Sequence, residues 1–333
     1  MVINLKRALI AGAVAIFLTA SLGLGGGGRT LPRALPVGPG TPLVGHAGPV
    51  SSVAFSPNGR TLATATENGT VELWDLRSDR VSGTLRGLIR IVDSVAFSPD
   101  GRTVAAGSRG GVVRFWDAPS RRRLGAALRA HAGSVYSVAF SPNGRILAAA
   151  SADGTVQLWD AGNDRLIGQL NNHAGAIGSL AFSPDGHSLA AGDIGGTIVL
   201  WDVASRQPLG VALQTHHLVN SVAYSPDGRI LAAGNGDTRT VSLWDVQRHH
   251  LIRTLHIGNN GPVNSVAFAP HKRMLAIGSE AGTVELWTLK GDNALATLNG
   301  GTGPVFSVAF SPDGQTLAAG GFSGTISVWR RVS

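Results

Sequence analysis

The chain of 333 residues has no cysteine, two tyrosines, two methionines, only three lysines (Lys6, Lys272 and Lys290) and only 14% charged residues. The absence of cysteine excludes a disulfide framework and any metal centre built on thiolates, and leaves the compartment open. With 43% apolar residues the chain can bury a core, which excludes intrinsic disorder. Long helices are not expected, because 46 glycines and 16 prolines punctuate the chain. The net charge of +8 rests almost wholly on arginines that stand singly after turns, such as Arg60, Arg102, Arg145 and Arg229. The densest run, Arg121-Arg122-Arg123, has no aromatic platforms beside it, so nucleic acid is not an expected partner.

Signatures of chemistry are also missing. There is no nucleophile elbow, H-E-x-x-H or phosphate loop. Gly23, Gly25 and Gly28 match G-x-G-x-x-G, but no helix follows them. His216-His217 and His249-His250 are adjacent pairs without flanking carboxylates, so no metal is expected. Acidic residues recur at equivalent places, which points to structure, since a catalytic set must be unique.

What is present begins with a charged and apolar N-terminal segment. Lys6 and Arg7 precede an apolar run from Ala8 to Leu24, broken only by the hydroxyls of Thr19 and Ser21. Residues 1–24 therefore read as a signal peptide or N-terminal membrane anchor, the run being at the lower limit for a transmembrane helix. Either version makes the rest extracytoplasmic, secreted or held at the membrane by residues 8–24. Residues 25–40 form a Gly/Pro-rich linker.

Internal repetition organises the remainder. All seven tryptophans, at 74, 116, 159, 201, 244, 287 and 329, are spaced by 42 or 43 residues. One template recurs along the series: a V-x-S-V-A-F-like strand, a Ser-Pro-Asp/Asn-Gly turn, a second strand, a polar turn, then T-V-x-L-W-D. Pro then Asp or Asn then Gly suits a tight reversal between adjacent strands. One four-stranded sheet cannot bury both faces alone, so the repeats must stack into a ring.

Residues 41–333 resemble the WD40 repeat family, and the high Gly, Ala and Arg content with few Lys resembles the composition expected of a high-GC bacterium. Five repeats carry the Trp-Asp pair, while Trp287-Thr288 and Trp329-Arg330 depart from it. The resemblance implies an all-β, seven-bladed propeller of four-stranded antiparallel blades. The last tryptophan lies in a third strand, so Thr41–Gly45 is expected to supply the missing outer strand of blade 7 and close the ring. Pro42 is tolerable at such an edge.

The family's buried His, Ser/Thr, Asp and Trp set maps onto His46, Thr64, Asn68 and Trp74 in blade 1. In blade 3 it maps onto His131, Asp153 and Trp159, with Ala149 in place of the hydroxyl. His173 opens blade 4, where Ala191 and Gly195 replace the other two polar partners. These residues read as structural, as do Trp116, Trp201, Trp244, Trp287 and Trp329, and most blades are expected to rely on apolar packing instead.

Function is expected where the repeats disagree. The residue after the first Val varies as Ser51, Asp93, Tyr136, Gly178, Asn220, Asn264 and Phe306. The resemblance places it at the top mouth of the channel. Tyr136, Phe306, Asp93, Asn220 and Asn264, with Arg90, Arg109, Arg239, His217 and Phe322 from nearby loops, are the candidate partner-binding residues. The expected protein is a monomeric, non-catalytic interaction propeller without cofactors. Its partners are proteins or peptides, and it meets a membrane only through its N-terminal segment. Two alternatives compete: a cytosolic scaffold for complex assembly, and a propeller hydrolase or lactonase using Asp93 with His216 and His217.

Overall fold

The computed structural model describes residues 40–330, apart from 45–47, 89–90, 172, 259–260, 272 and 292. Residues 1–24, His46 and Arg90 lie outside the described residues. Those described hold 28 strands and no helix, arranged as seven four-stranded antiparallel sheets. In blade 1 the strands run from the axis outward as Val50–Phe55, Thr61–Thr66, Val71–Asp75 and Arg80–Leu85. The inner strands of successive blades pack side by side around a channel, and Val305–Phe310 of blade 7 returns to Val50–Phe55.

The Ser-Pro-Asp/Asn-Gly turn is locked by its own side chains. In blade 1 the Ser56 hydroxyl donates to Asn58 Oδ1 at 2.8 Å and accepts the Thr61 N–H at 2.9 Å. Gly59 takes a φ of 68°, a left-handed conformation that side chains resist. The same pair of side-chain bonds recurs in blades 2, 3, 4, 5 and 7, whereas blade 6 has Ala269 and His271 at these places.

Packing between blades follows from residue size. Ala63, Ala65, Val71 and Leu73 of blade 1 form one cluster with Val92, Val95, Val104 and Trp116 of blade 2. The second strand must be thin where the next inner strand crosses it. At Gly107 an added Cβ would lie 2.5 Å from Cγ1 of Val135 in blade 3. Trp116 is 1% exposed, and its truncation to Ala would cost about 3–5 kcal/mol.

A ring of serines joins the blades. Ser52 Oγ accepts the backbone N–H of Val95 at 3.3 Å. Ser94, Ser137, Ser179, Ser221 and Ser265 do the same for Val138, Leu180, Val222, Val266 and Val308. Ser307 completes the circle to Val53 at 3.1 Å. The repeated Ser of the inner-strand template is thus an inter-blade link.

Closure is made by the N-terminal strand. Thr41–Leu43 pairs antiparallel with Ile326–Arg330 as the outer strand of blade 7, with Pro42 opposite Ser327 on the outer edge. Arg330, which stands where other repeats have Asp, reaches into blade 1. Its guanidinium pairs with the Asp79 carboxylate and donates to the Leu76 carbonyl at 3.2 Å. Thr288, the other departure, caps its own turn by accepting the Gly291 N–H at 2.9 Å.

Candidate functional site

The ring has two chemically distinct ends. At the bottom, the turn after the third strand bonds to the Ser-Pro turn, as in Leu76 N–H to Arg60 C=O at 3.0 Å. At the top, the loop after the second strand bonds to the segment leading into the inner strand, as in Glu67 N–H to Pro49 C=O at 3.1 Å.

In all seven blades the inner strand slips register at its second residue, between Val50 and Ser52 in blade 1 and at the same place in the others. Ser51, Asp93, Tyr136, Gly178, Asn220, Asn264 and Phe306 are the bulged residues. A bulge leaves its residue out of the ladder and re-aims the side chain. This position is therefore free to vary without disturbing strand pairing.

Most of these side chains are engaged within the ring. Asp93 is 5% exposed, and the Arg109 guanidinium grips it with Nε and Nη2 each 3.0 Å from a carboxylate oxygen. Tyr136 is buried beside this pair. Burial first, then the negative charge of Asp93, raises its phenol above the ordinary tyrosine range. Asn220 donates to the Val263 carbonyl at 3.1 Å, and Asn264 to Val305 C=O at 3.1 Å and Glu280 Oε2 at 2.9 Å. Ser51 donates to the carbonyls of Val92 and Ala65. A Cβ on Gly178 would lie 2.9 Å from the Val219 carbonyl oxygen, so this blade has no space for a side chain.

Two blades offer surface instead. In blade 7 Phe306 is half-buried and Phe322 is 53% exposed, the one exposed aromatic among the described residues. Val305 and Gly321, their immediate neighbours, are paired in the sheet, so both rings belong to one edge of the mouth. In blade 5 His217 Nδ1 lies 3.4 Å from Asp237 Oδ2, with Arg239 exposed on the same long loop. That loop is anchored by Asn235, which donates to Thr240 Oγ1 at 2.8 Å and Ser242 Oγ at 3.2 Å. Asp93 belongs to blade 2 and His217 to blade 5, each with its own charged partner, and His216 is an exposed residue in a left-handed conformation.

The polar set around the tryptophans is more varied than the repeat template suggests. Trp74 Nε1 donates to Thr64 Oγ1 at 3.3 Å. The His131 side chain is buried, with Nδ1 3.1 Å from Asp153 and Nε2 3.1 Å from the Ala149 carbonyl. Burial pushes the Asp153 carboxyl up, but the Thr155 hydroxyl and the charge of His131 outweigh it and hold it below the usual range.

In blade 4 the turn position is Gly195, yet His173 finds an acid two residues earlier, with Nδ1 2.9 Å from the buried Asp193. Trp116 donates to the Arg86 carbonyl at 3.3 Å, and Trp287 to Glu285 at 2.7 Å. Apolar packing alone therefore does not account for these blades. The indole N–H groups of Trp159, Trp201 and Trp244 have no partner among the described residues. Trp329 lies against Gly40, at the start of the closing strand.

Among the described residues no helix is long and apolar enough to cross a membrane. Seven segments, residues 39–75, 82–117, 122–160, 164–202, 206–245, 250–288 and 292–330, match the family model described as WD domain, G-beta repeat. Each ends one residue after a tryptophan of the series. No curated protein matches the chain.

Proposed function

Because the chain belongs to the WD40 repeat family, whose propellers commonly mediate protein interactions, we propose that it is a non-catalytic docking ring. A protein or peptide partner binds its top face through blade 7, with blade 5 as a polar flank. The observation that carries this reading is the exposure of Phe322 beside the half-buried Phe306, in a ring whose other described aromatics are buried or half-buried.

Aromatic anchors give large contact area at low ordering cost and dominate interface energetics. The other mouth residues are held by internal hydrogen bonds, so little ordering accompanies docking. The second part of the reading is export: residues 1–24 place the ring outside the cytoplasm, secreted or anchored. Its basis is the charged and apolar pattern of that segment.

Affinity capture with the full chain tests the docking face. Phe306→Ala with Phe322→Ala should weaken capture by more than about thirtyfold. Arg273→Ala with Lys290→Ala, at the bottom of blade 6 where the Leu289 N–H bonds to the Arg273 C=O at 3.1 Å, should leave it intact. Unchanged capture by the aromatic variant sinks the assignment. Protease added to intact spheroplasts tests export: cleavage of the ring's tether is expected, and protection until lysis would favour a cytosolic scaffold.

A further inference from the structure

We propose that blade 2 carries a pocket for a carboxylate on a short aliphatic stem, with Arg114 as its recognition group. The site arises where this blade lacks the polar pair that fills blade 3. There His131 and Asp153 stand 28 and 6 residues before Trp159 and bond at 3.1 Å. At the same distances before Trp116 are Leu88 and Gly110. In their place is a cavity of about 280 Å³, lined by Leu88, Val112 and Ala127 with Ser108, Arg114 and Arg129.

Arg114 sits two residues before Trp116 on the third strand, so both side chains share a face. The equivalent positions hold Glu72, Gln157, Val199, Ser242, Glu285 and Ser327, which makes Arg114 the single cation of the series. Its Nε is buried and has no hydrogen-bond partner among the described residues. A desolvated guanidinium N–H without an acceptor is costly, and a planar carboxylate matches that edge with two oxygens. Arg129, exposed at the rim, adds a second positive charge.

The walls narrow the ligand class. Leu88, Val112 and Ala127 suit methylene groups, and the volume lies at the small end for a ligand pocket. The Ser108 hydroxyl is already donated to the Val112 carbonyl at 3.2 Å. Two arginines are thus the side-chain donors left. That suits one carboxylate better than a phosphate with its additional oxygens.

The test is calorimetric titration of the full chain in carboxylate-free buffer. The probes are glutarate, inorganic phosphate and a peptide ending in Glu. Glutarate or the peptide should bind with a Kd at or below about 1 mM, and more tightly than phosphate. Arg114→Met should weaken this at least about tenfold.

The double substitution Leu88→His with Gly110→Asp, which rebuilds the blade 3 pair inside the cavity, should do the same while the ring stays folded. It decides the matter if the Arg114 variant does not fold. Preference for the peptide assigns the site to a protein's acidic end or side chain, and preference for glutarate to a free acid. Absence of binding by both acids, equal affinity for phosphate, or binding unchanged in the rebuilt variant overturns the proposal.

Discussion

Ser307 Oγ accepts the backbone N–H of Val53 at 3.1 Å, although 254 residues separate them in sequence. The same bond links every other neighbouring pair of blades, so the junction between the last blade and the first is chemically like the other six. Removing the hydroxyl leaves an N–H without its acceptor next to the core. Ser307→Ala should therefore cost about 1–3 kcal/mol, and Ser137→Ala, at an ordinary junction, the same. Denaturant titration of both variants checks this. A much smaller cost at Ser307 than at Ser137 would mean that the closing junction is looser than its six counterparts.

Arg330 and Asp79 add a second tie across that junction, each with about a third of its side chain exposed. Ion pairs at such exposure are worth about 0.5–1 kcal/mol. Arg330→Met and Asp79→Asn should each lower stability by that order. In a double-mutant cycle the pair of substitutions should cost little more than either alone, and strict additivity would show that the two side chains do not interact in solution.

The seven-fold repeat was legible because a large tryptophan returns at nearly constant spacing, and a Ser-Pro-Asp/Asn-Gly turn does so in six of the seven blades. Residues that act across blades were less legible. The repeated Ser52-type serine bonds to a blade 43 or more residues away, which no pattern within one repeat reveals. Arg330 looked like a degenerate Trp-Asp pair, and its partner lies at the other end of the chain. Alignment by position pointed to Gly195 in blade 4 and so missed Asp193, the last residue of the second strand two residues earlier, which His173 reaches instead. The variable mouth position was visible, but its cause was not, since a bulge is a property of pairing between two strands. Arg114 was not legible because the cavity beside it is what sets it apart from the other third-strand polar residues.

Acid should weaken the ring through its bottom turns. The serine hydroxyl and a backbone N–H hold the carboxyls of Asp100, Asp185 and Asp313 below the usual range, and the Ser225 hydroxyl does so first for Asp227. A depressed folded-state value means that the unfolded chain binds protons first as pH falls. The stabilisation is therefore present at neutral pH and lost below about pH 4. Asn already occupies this place at Asn58 and Asn143, so converting all four aspartates to Asn should preserve the fold. The variant should be less stable than the parent at pH 7, and the gap should close towards pH 2. A gap independent of pH would contradict the assignment.

Alkali should act on the two tyrosines. Burial pushes the Tyr224 phenol up to about 12, only partly offset by its hydrogen bond with Ser188 Oγ at 3.0 Å, and Tyr136 is raised as well. A raised folded-state value gives stability that is intact below the ordinary tyrosine range and lost as pH climbs through it. Phenolate absorbance should therefore lag behind that of free tyrosine and rise together with unfolding, while Tyr224→Phe should leave only the Tyr136 phase. Two tyrosines titrating near pH 10 in the folded ring would contradict the burial described.

The docking account is tested most directly by photo-crosslinking the full chain in the cells that make it. A benzophenone amino acid is placed at position 322 on the top face or at position 290 on the bottom. A partner adduct at position 322 and none at position 290 is the outcome expected of a top-face docking ring. Adducts confined to position 290, or equal at both positions, would contradict it.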